Sequence, residues 1–490
     1  MDLDDDACYR AIGTRDARFD GRLFIGVKTT GIYCRPICPA RTPKRENVSF
    51  YASAAAAQEA GFRPCLRCRP EAAPDLAVWR GSSNTVSRAL ALIEAGALDG
   101  ADVDALAERL GVGERQLRRL FRTHLGASPV SVAQTRRVLL AKQLIHETGL
   151  TMTEIALASG FGSVRRFNET FHNLYDRPPS TLRRGGTGGS KEAVEILLRY
   201  RPPYDWPAML SFLRARAIPG IEVVTADVYT RTIEVAGARG TVSVEPGTGN
   251  ALKATVRFPK LSALPTIIAR LRRVFDLAAD PTVIGAHLSE DPALKPLVGA
   301  RPGLRVPGAW DGFELAVRAV LGQQITVTAA IGLAGKLVAI YGEPVATDIV
   351  GLTHIFPRPE RLAKAQITGM PGARARALTS LAASVAADPQ IFGPRRSLEE
   401  AIAQLCKLSG IGEWTAQYIA MRELREPDAF PAADIGLMRA MANGNGARPN
   451  PAQLLARAER WRPWRAYAAQ HLWASYVPPR RETPLKLAAE

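Results

Sequence analysis

Thr29-Thr30-Gly31-Ile32-Tyr33-Cys34-Arg35-Pro36-Ile37-Cys38-Pro39-Ala40-Arg41, followed by Gly61-Phe62-Arg63-Pro64-Cys65-Leu66-Arg67-Cys68, gathers four of the chain's six cysteines into two close pairs. A Cys34-x3-Cys38 pair and a Cys65-x2-Cys68 pair, with 26 residues between them, can supply four thiolates to one tetrahedral zinc ion. Six cysteines in 490 residues do not make a disulfide scaffold, so the cluster predicts a metal site in a reducing compartment. Cys8 and Cys406 stand apart, and Cys406, within the apolar run Ala401 to Leu408, is read as core. Spacing alone leaves two readings open: a zinc ribbon that only folds its domain, or a thiolate that the metal makes nucleophilic.

Around this cluster the charge is basic. Residues 21–70 carry 9 basic and 2 acidic side chains. Over the whole chain Lys and Arg exceed Asp and Glu by 64 to 47, and the excess divides into +7 for residues 1–190 and +10 for residues 191–490. A surplus spread over both halves suits a chain that meets a polyanion with more than one module. No run of eighteen uninterrupted apolar residues occurs, which argues against a membrane span. The opening Met1-Asp2-Leu3-Asp4-Asp5-Asp6 has the wrong charge for a presequence. A cytoplasmic, nucleoid-associated protein is the expectation.

Outward from the cysteines, the chain divides into segments. Residues 1–80 read as mixed strand, turn and short helix, and residues 82–184 as helix. The Gly/Ser run 185–190 has the composition of a flexible linker. Within 191–300, Thr241-Val242-Ser243-Val244-Glu245 and Lys253-Ala254-Thr255-Val256-Arg257-Phe258 alternate as half-buried strands do. Residues 301–490 return to helix period almost throughout. At 490 residues several domains are expected, and the predicted class is multidomain and mainly α, with α+β portions in 1–80 and 191–300.

The flanks of the cysteines, with Arg45-Glu46-Asn47-Val48-Ser49-Phe50-Tyr51, closely resemble the zinc-binding methyl-acceptor domain of the Ada family over roughly residues 20–72. The resemblance implies one zinc ion on Cys34, Cys38, Cys65 and Cys68. It also implies that the first of these, Cys34, takes a methyl group irreversibly from a DNA phosphotriester. Four thiolates on one zinc leave a net charge of −2, which repels phosphates. Methylating Cys34 removes one negative charge, so Arg35, Arg45 and Arg67 are expected to approach the DNA backbone more closely afterwards.

In the helical segment, Asp104-Ala105-Leu106-Ala107-Glu108-Arg109-Leu110-Gly111-Val112-Gly113 leads into a second helix with Arg115, Arg118, Arg119 and Arg122. Leu117, Leu120 and Phe121 make the core face of that helix. A small residue, a Gly turn and a basic second helix are helix-turn-helix chemistry suited to the major groove. About 49 residues later Ala156, Gly160 and Phe161-Gly162-Ser163-Val164-Arg165-Arg166-Phe167-Asn168-Glu169-Thr170-Phe171 repeat it. The repeat resembles the all-α AraC-type DNA-binding domain. Arg115, Gln116, Arg119, Arg165 and Arg166 are the base-contact candidates, each of which could equally hold phosphate.

Downstream, Leu408-Ser409-Gly410-Ile411-Gly412-Glu413-Trp414-Thr415-Ala416 reads as a Gly-x-Gly turn between helices. Gly410 and Gly412 let backbone N–H groups approach a phosphate at a helix N-terminus. Phe430-Pro431-Ala432-Ala433-Asp434-Ile435-Gly436-Leu437 sets one acid in an apolar stretch, either a helix N-cap or a catalytic group. These runs resemble the helix-hairpin-helix glycosylase superfamily, and residues 191–480 as a whole resemble the AlkA-type 3-methyladenine DNA glycosylases (glycosylase II). Further matches are Asp311-Gly312-Phe313-Glu314, Leu321-Gly322-Gln323-Gln324-Ile325, and Trp461-Arg462-Pro463-Trp464 leading to His471-Leu472-Trp473. The resemblance implies an α+β amino-terminal domain over 191–300, mainly structural, and an all-α helix-hairpin-helix domain over 301–490. It makes Asp434 the catalytic carboxylate, puts Tyr418 and Trp473 in the base pocket with Trp414 beside it, and assigns Gln323 and Gln324 to DNA. Relatives with lyase activity carry a nucleophilic Lys where Trp414 stands, so a monofunctional glycosylase follows. The family's apolar wedge falls at Gln324, a departure that weakens its assignment as wedge.

No Pro-Cys-His-Arg run occurs, so direct O6-alkylguanine repair is not predicted. The expected partners are alkylated and promoter double-stranded DNA and RNA polymerase, with no membrane, and the expected state is a monomer. Two functions compete: a glycosylase of alkylated bases fused to a zinc-containing, methylphosphotriester-accepting transcription regulator, or a methylation-triggered activator whose glycosylase half only binds DNA.

Overall fold

The computed structural model describes residues 4–73, 84–183, 193–393, 395, 397–442 and 446–475. The linker expected at 185–190 lies outside the described residues. Near the N-terminus, helix Asp5–Gly13 begins where the Asp4 carboxylate accepts from the Ala7 N–H, satisfying one of the free donors of the first turn. It packs on a four-stranded sheet ordered Val48–Tyr51, Phe24–Val27, Ile32–Cys34, Arg63–Pro64. The first three strands pair antiparallel and the last is parallel to its neighbour. Gly31, at a φ of +63°, supplies the left-handed residue that turns the chain from Val27 back into Ile32.

Two helix-turn-helix pairs follow: Val103–Arg109 with Glu114–Leu125, and Met152–Ala158 with Val164–Tyr175. The second helix of each buries residues four apart, Leu117, Phe121 and Leu125 in one and Phe167, Phe171 and Tyr175 in the other. That spacing makes one apolar face, and the arginines read from the sequence stand on the other. Helix Pro129–Glu147 joins the two pairs.

The α+β region holds an antiparallel sheet ordered Val194–Arg199, Ala251–Arg257, Ala238–Pro246, Tyr229–Val235, Glu222–Val224. Both predicted strands fall within it, with Val242, Val244, Ala254 and Val256 buried. Beyond it the chain is helical, as expected, apart from a short pairing of Glu343–Pro344 with His354–Ile355. A buried ion network joins the two regions: Arg231 to Glu314 at 2.7 Å, and Arg318 to Glu222 and Glu314 at 2.6 Å each. Arg231 and Glu222 come from the sheet, Glu314 and Arg318 from helix Gly312–Leu321.

The amino- and carboxy-terminal halves pack on one another. One apolar core runs without a break from Val138 of the helical segment through Val244 of the sheet to Trp310. Gln143 Nε2 donates to the Leu197 carbonyl at 2.8 Å, and the Leu197 N–H donates to Glu147 at 3.1 Å. Arg88 and Glu426 form a buried ion pair across the same boundary. Cys406 corrects its sequence reading. It caps the C-terminus of helix Leu398–Leu405 and is exposed, because Ala401 and Leu405 already fill that helix's buried face.

Candidate metal centre and base pocket

The ligand atoms of Cys34, Cys38, Cys65 and Cys68 all lie within 4.8 Å of one another. Cys34 ends strand Ile32–Cys34, and Cys65 follows Arg63–Pro64, its N–H donating to the Tyr33 carbonyl at 3.0 Å. The parallel pairing of these strands therefore brings the two cysteine pairs together. Backbone N–H groups of Arg35 and Arg67 donate to Cys68 Sγ and Cys65 Sγ at 3.3 Å each, the kind of outer-shell support that tunes a sulfur site. The four sulfurs lie close enough to share one ligand-binding centre. Four such groups fit one zinc ion, whose charge would hold them as thiolates. Cys65 and Cys68 are buried, whereas Cys34 and Cys38 are partly open to solvent.

The arginines around the cluster differ. Arg67 is exposed. Arg45 pairs with Asp5 at 2.8 Å and lies over the Phe50 ring. Arg35 turns inward: it pairs with Asp20 and donates to the Cys68 carbonyl at 3.0 Å. Lys142, wholly buried on the helix between the two helix-turn-helix pairs, donates to the Cys65 carbonyl at 2.9 Å and to Glu71 at 2.8 Å. Nothing in its local sequence distinguished it. Arg115, Gln116, Arg119, Arg165 and Arg166 are all exposed, with Arg165 paired to Glu169 four residues on.

In the carboxy-terminal half, helices Leu398–Leu405 and Glu413–Arg422 form the expected hairpin. Gly410 sits at a φ of +81°, and a Cβ there would lie 2.7 Å from the Ala377 Cβ. Gly412 faces open space at the start of a helix that has no side-chain cap, so its first N–H groups are available to an anion. Gln323 is tied to this hairpin, its Nε2 donating to the Gly410 carbonyl at 2.8 Å and to Thr415 at 3.2 Å. Gln324 beside it is exposed at a φ of +60°, a conformation that costs a residue with a Cβ about 1–2 kcal/mol.

Asp434 is a helix N-cap, one of its two sequence readings, and it also accepts from two indoles. It caps helix Ile435–Ala440, its Oδ1 accepting from the Leu437 N–H at 3.0 Å. The same oxygen accepts from Trp473 Nε1 at 2.9 Å, and Oδ2 accepts from Trp414 Nε1 at 3.0 Å. Trp414 stacks on Tyr418 with centroids 5.5 Å apart and planes at 11°. A Cβ on Gly436 would come within 2.9 Å of Asp434 Oδ1 and 3.3 Å of Trp473 Cδ1, so glycine there permits the indole to reach the carboxylate. Phe212 also faces this group: the Arg422 guanidinium lies 4.5 Å from its ring centroid and 4.7 Å from that of Tyr418. Helix Trp206–Arg214 buries Trp206, Met209, Leu210 and Leu213, a helical face that leaves Phe212 aside. An aromatic residue off its helix's buried face was the available signal.

With these sites in place, comparison with known proteins locates the chain. Residues 7–71 match the metal-binding domain of Ada and residues 106–185 a helix-turn-helix domain. Residues 195–311 match the AlkA N-terminal domain, and residues 317–466 the HhH-GPD superfamily of base excision DNA repair proteins. The bifunctional transcriptional activator/DNA repair enzyme AlkA of Mycobacterium tuberculosis is 42% identical over 99% of both chains. The chain belongs to this family of AlkA-type bifunctional proteins. Its carboxy-terminal part is 36% identical to DNA-3-methyladenine glycosylase 2 of Escherichia coli, over 56% of this chain and 95% of that one. The 3-methyladenine DNA-glycosylase of Archaeoglobus fulgidus shares the fold, with a TM-score of 0.51 at 23% identity over 58% of this chain and all of that one. An AlkA-type protein of this architecture is a DNA glycosylase joined to a zinc domain and a DNA-binding regulator, and DNA is its partner. No helix among the described residues is long and apolar enough to cross a membrane.

Proposed function

We propose that the chain hydrolyses the N-glycosidic bond of alkylated bases such as 3-methyladenine at Asp434, and accepts a methyl group from a DNA phosphotriester on Cys34. The observation that carries the first activity is the pair of indole N–H donors on Asp434, one per oxygen. They fix the carboxylate at the edge of an aromatic slot. The flipped base enters the pocket that Tyr418 and Trp473 line, with Trp414 beside it, where aromatic rings attract a cationic purine by about 0.5–2 kcal/mol each. Asp434 then stabilises positive charge on the sugar as the bond breaks, or orients the attacking water. Trp414, where a lyase would carry lysine, makes the enzyme monofunctional. Gly410 and Gly412 hold the backbone phosphates. Gln324 fills the vacated stack, its strained backbone being of the kind that clusters at functional sites.

At the other end, zinc would keep the cluster's sulfurs as thiolates at neutral pH, and therefore nucleophilic. Cys34 Sγ bonds to the methyl carbon as the O–CH3 bond breaks and its electron pair returns to the phosphate oxygen. The cluster loses one negative charge, and the exposed Arg67 and the rim Arg45 then lie closer to DNA phosphates. Arg35, already paired with Asp20, acts as a brace for the site. Arg115, Gln116, Arg119, Arg165 and Arg166 read promoter DNA, and the bound protein, a monomer, recruits RNA polymerase. The proposed domain limits are 1–80, 82–184, 191–300 and 301–490, with 185–190 as linker.

A base-release assay on methylated duplex DNA tests the main reading, with wild type active and Asp434→Asn inactive. No release by wild type would favour the alternative, an activator whose glycosylase half only binds DNA.

A further inference from the structure

The turn that carries Gln324 is fastened on two sides by side chains that the chemistry above does not use. On one side Gln323 Nε2 donates to the Gly410 carbonyl and to Thr415 Oγ1, which ties the turn to the helical hairpin. On the other side stands Arg374, in the first turn of helix Gly372–Ala387 and half-buried. Its Nη2 donates to the Gln323 carbonyl at 2.6 Å. Three residues on, along the same face, Ala377 comes within 2.7 Å of where a Cβ on Gly410 would lie. One helix therefore backs both the turn and the hairpin. The Gln323 carbonyl belongs to the peptide unit that ends in the Gln324 nitrogen. That unit is planar, so holding its oxygen holds the plane from which φ of Gln324 is set, at +60°. Turning the plane over would carry Gln324 to a φ of about −120°, in the extended region open to any residue. A hydrogen bond from a charged donor is stronger than a neutral one and outweighs the strain of a single left-handed residue.

We propose that Arg374 is a positioning residue for base extrusion: by holding the Gln323 carbonyl it keeps Gln324 in the conformation that fills the vacated stack. The inference rests on the glycosylase reading and on Gln324 as the filling side chain. Its effect belongs to the step before the C1′–N bond breaks. In that step a paired base leaves the duplex at a cost in stacking and pairing, which a side chain inserted in its place offsets. A lesion that is already unpaired incurs little of that cost and so depends little on Arg374. Through Gln323 the same turn is tied to the hairpin, so docking of the backbone and filling of the stack are made by one connected piece.

The test uses the full chain and a single 7-methylguanine in two settings, paired with cytosine in a duplex and unpaired in a one-nucleotide bulge of the same sequence. The quantity read is the ratio of the single-turnover release rate from the duplex to that from the bulge. Arg374→Met is expected to lower that ratio by about tenfold, and Arg374→Lys, which can still donate to the carbonyl, to restore most of it. A general loss of packing would slow both releases and leave the ratio alone. On a Gln324→Ala background Arg374→Met should lower the ratio no further, because the side chain it positions is gone. An unchanged ratio in Arg374→Met, with wild type active on both DNAs, overturns the proposal. A fall that persists in full on the Gln324→Ala background overturns it too, since Arg374 would then act elsewhere. Release from neither DNA by wild type would overturn the glycosylase reading itself, and this inference with it.

Discussion

The sulfur cluster and the base pocket are built in opposite ways. All four cysteines fall within 35 residues, and one parallel strand pairing closes the site. The proposed pocket draws on Phe212, on Trp414 and Tyr418 of one helix, on Asp434 at the cap of another and on Trp473 of the helix Arg465–Ser475. A site closed over a short loop depends on its metal for local order. A site assembled over a long stretch of chain depends on the packing of everything between. The two should therefore fail under different insults.

Chelation gives the largest contrast. Structural zinc is worth about 10 kcal/mol or more to a small domain, so a strong chelator should abolish methyl uptake by Cys34 and unfold residues 4–73. Base release, followed in the same sample, should fall by less than tenfold. Asp434→Asn reverses the pattern: base release drops by about three orders of magnitude, while methyl uptake, read by mass, is unchanged. Arg88→Ala probes the boundary between the halves. It strips Glu426 of a buried partner, at a cost of about 3 kcal/mol, and calorimetry should show the melting of both halves shifted together. A shift in one half alone would break the idea that they pack as a unit.

Gly436→Ala is milder, since its Cβ displaces the Trp473 indole or the Asp434 carboxylate by a few tenths of an ångström. A fall in single-turnover rate of about tenfold to a hundredfold is expected, with binding to undamaged DNA unaffected. The smallest effect is acidic. Burial pulls His471 down to about 4, so the folded state holds it neutral. Its contribution is fully present above the unfolded value of about 6.5 and is lost as pH falls towards 4. At pH 5.5 the loss is about 1 kcal/mol, and His471→Gln should flatten the dependence of unfolding free energy between pH 7 and 5.

What could be read from the sequence follows the same division. The zinc ligands were legible because a tetrathiolate site needs only short spacings, and the helix-turn-helix pairs because their buried faces repeat. Asp434 was legible as an acid in an apolar run. That it caps a helix and accepts two indole N–H groups was not, because Trp414 and Trp473 reach it from distant elements. Phe212 and Arg422 escaped for the same reason, and residues 191–300, read as mainly structural, supply the first of them. Arg35 was read as a phosphate ligand from its type alone; its partner Asp20 lies 15 residues away, and nothing local marks the pair. Cys406 was read as core from the apolar run around it, whereas the helix turns it outward.

The proposed presence of two chemically separate repair sites on one chain can be tested in a single incubation. Asp434→Asn protein is mixed with DNA that holds both methylphosphotriesters and 3-methyladenine, and the peptide containing residue 34 is weighed as free bases are measured. The expected result is a gain of one CH2 on Cys34, with 3-methyladenine released about three orders of magnitude more slowly than by wild type. An unmodified Cys34, or base release at the wild-type rate, would contradict it.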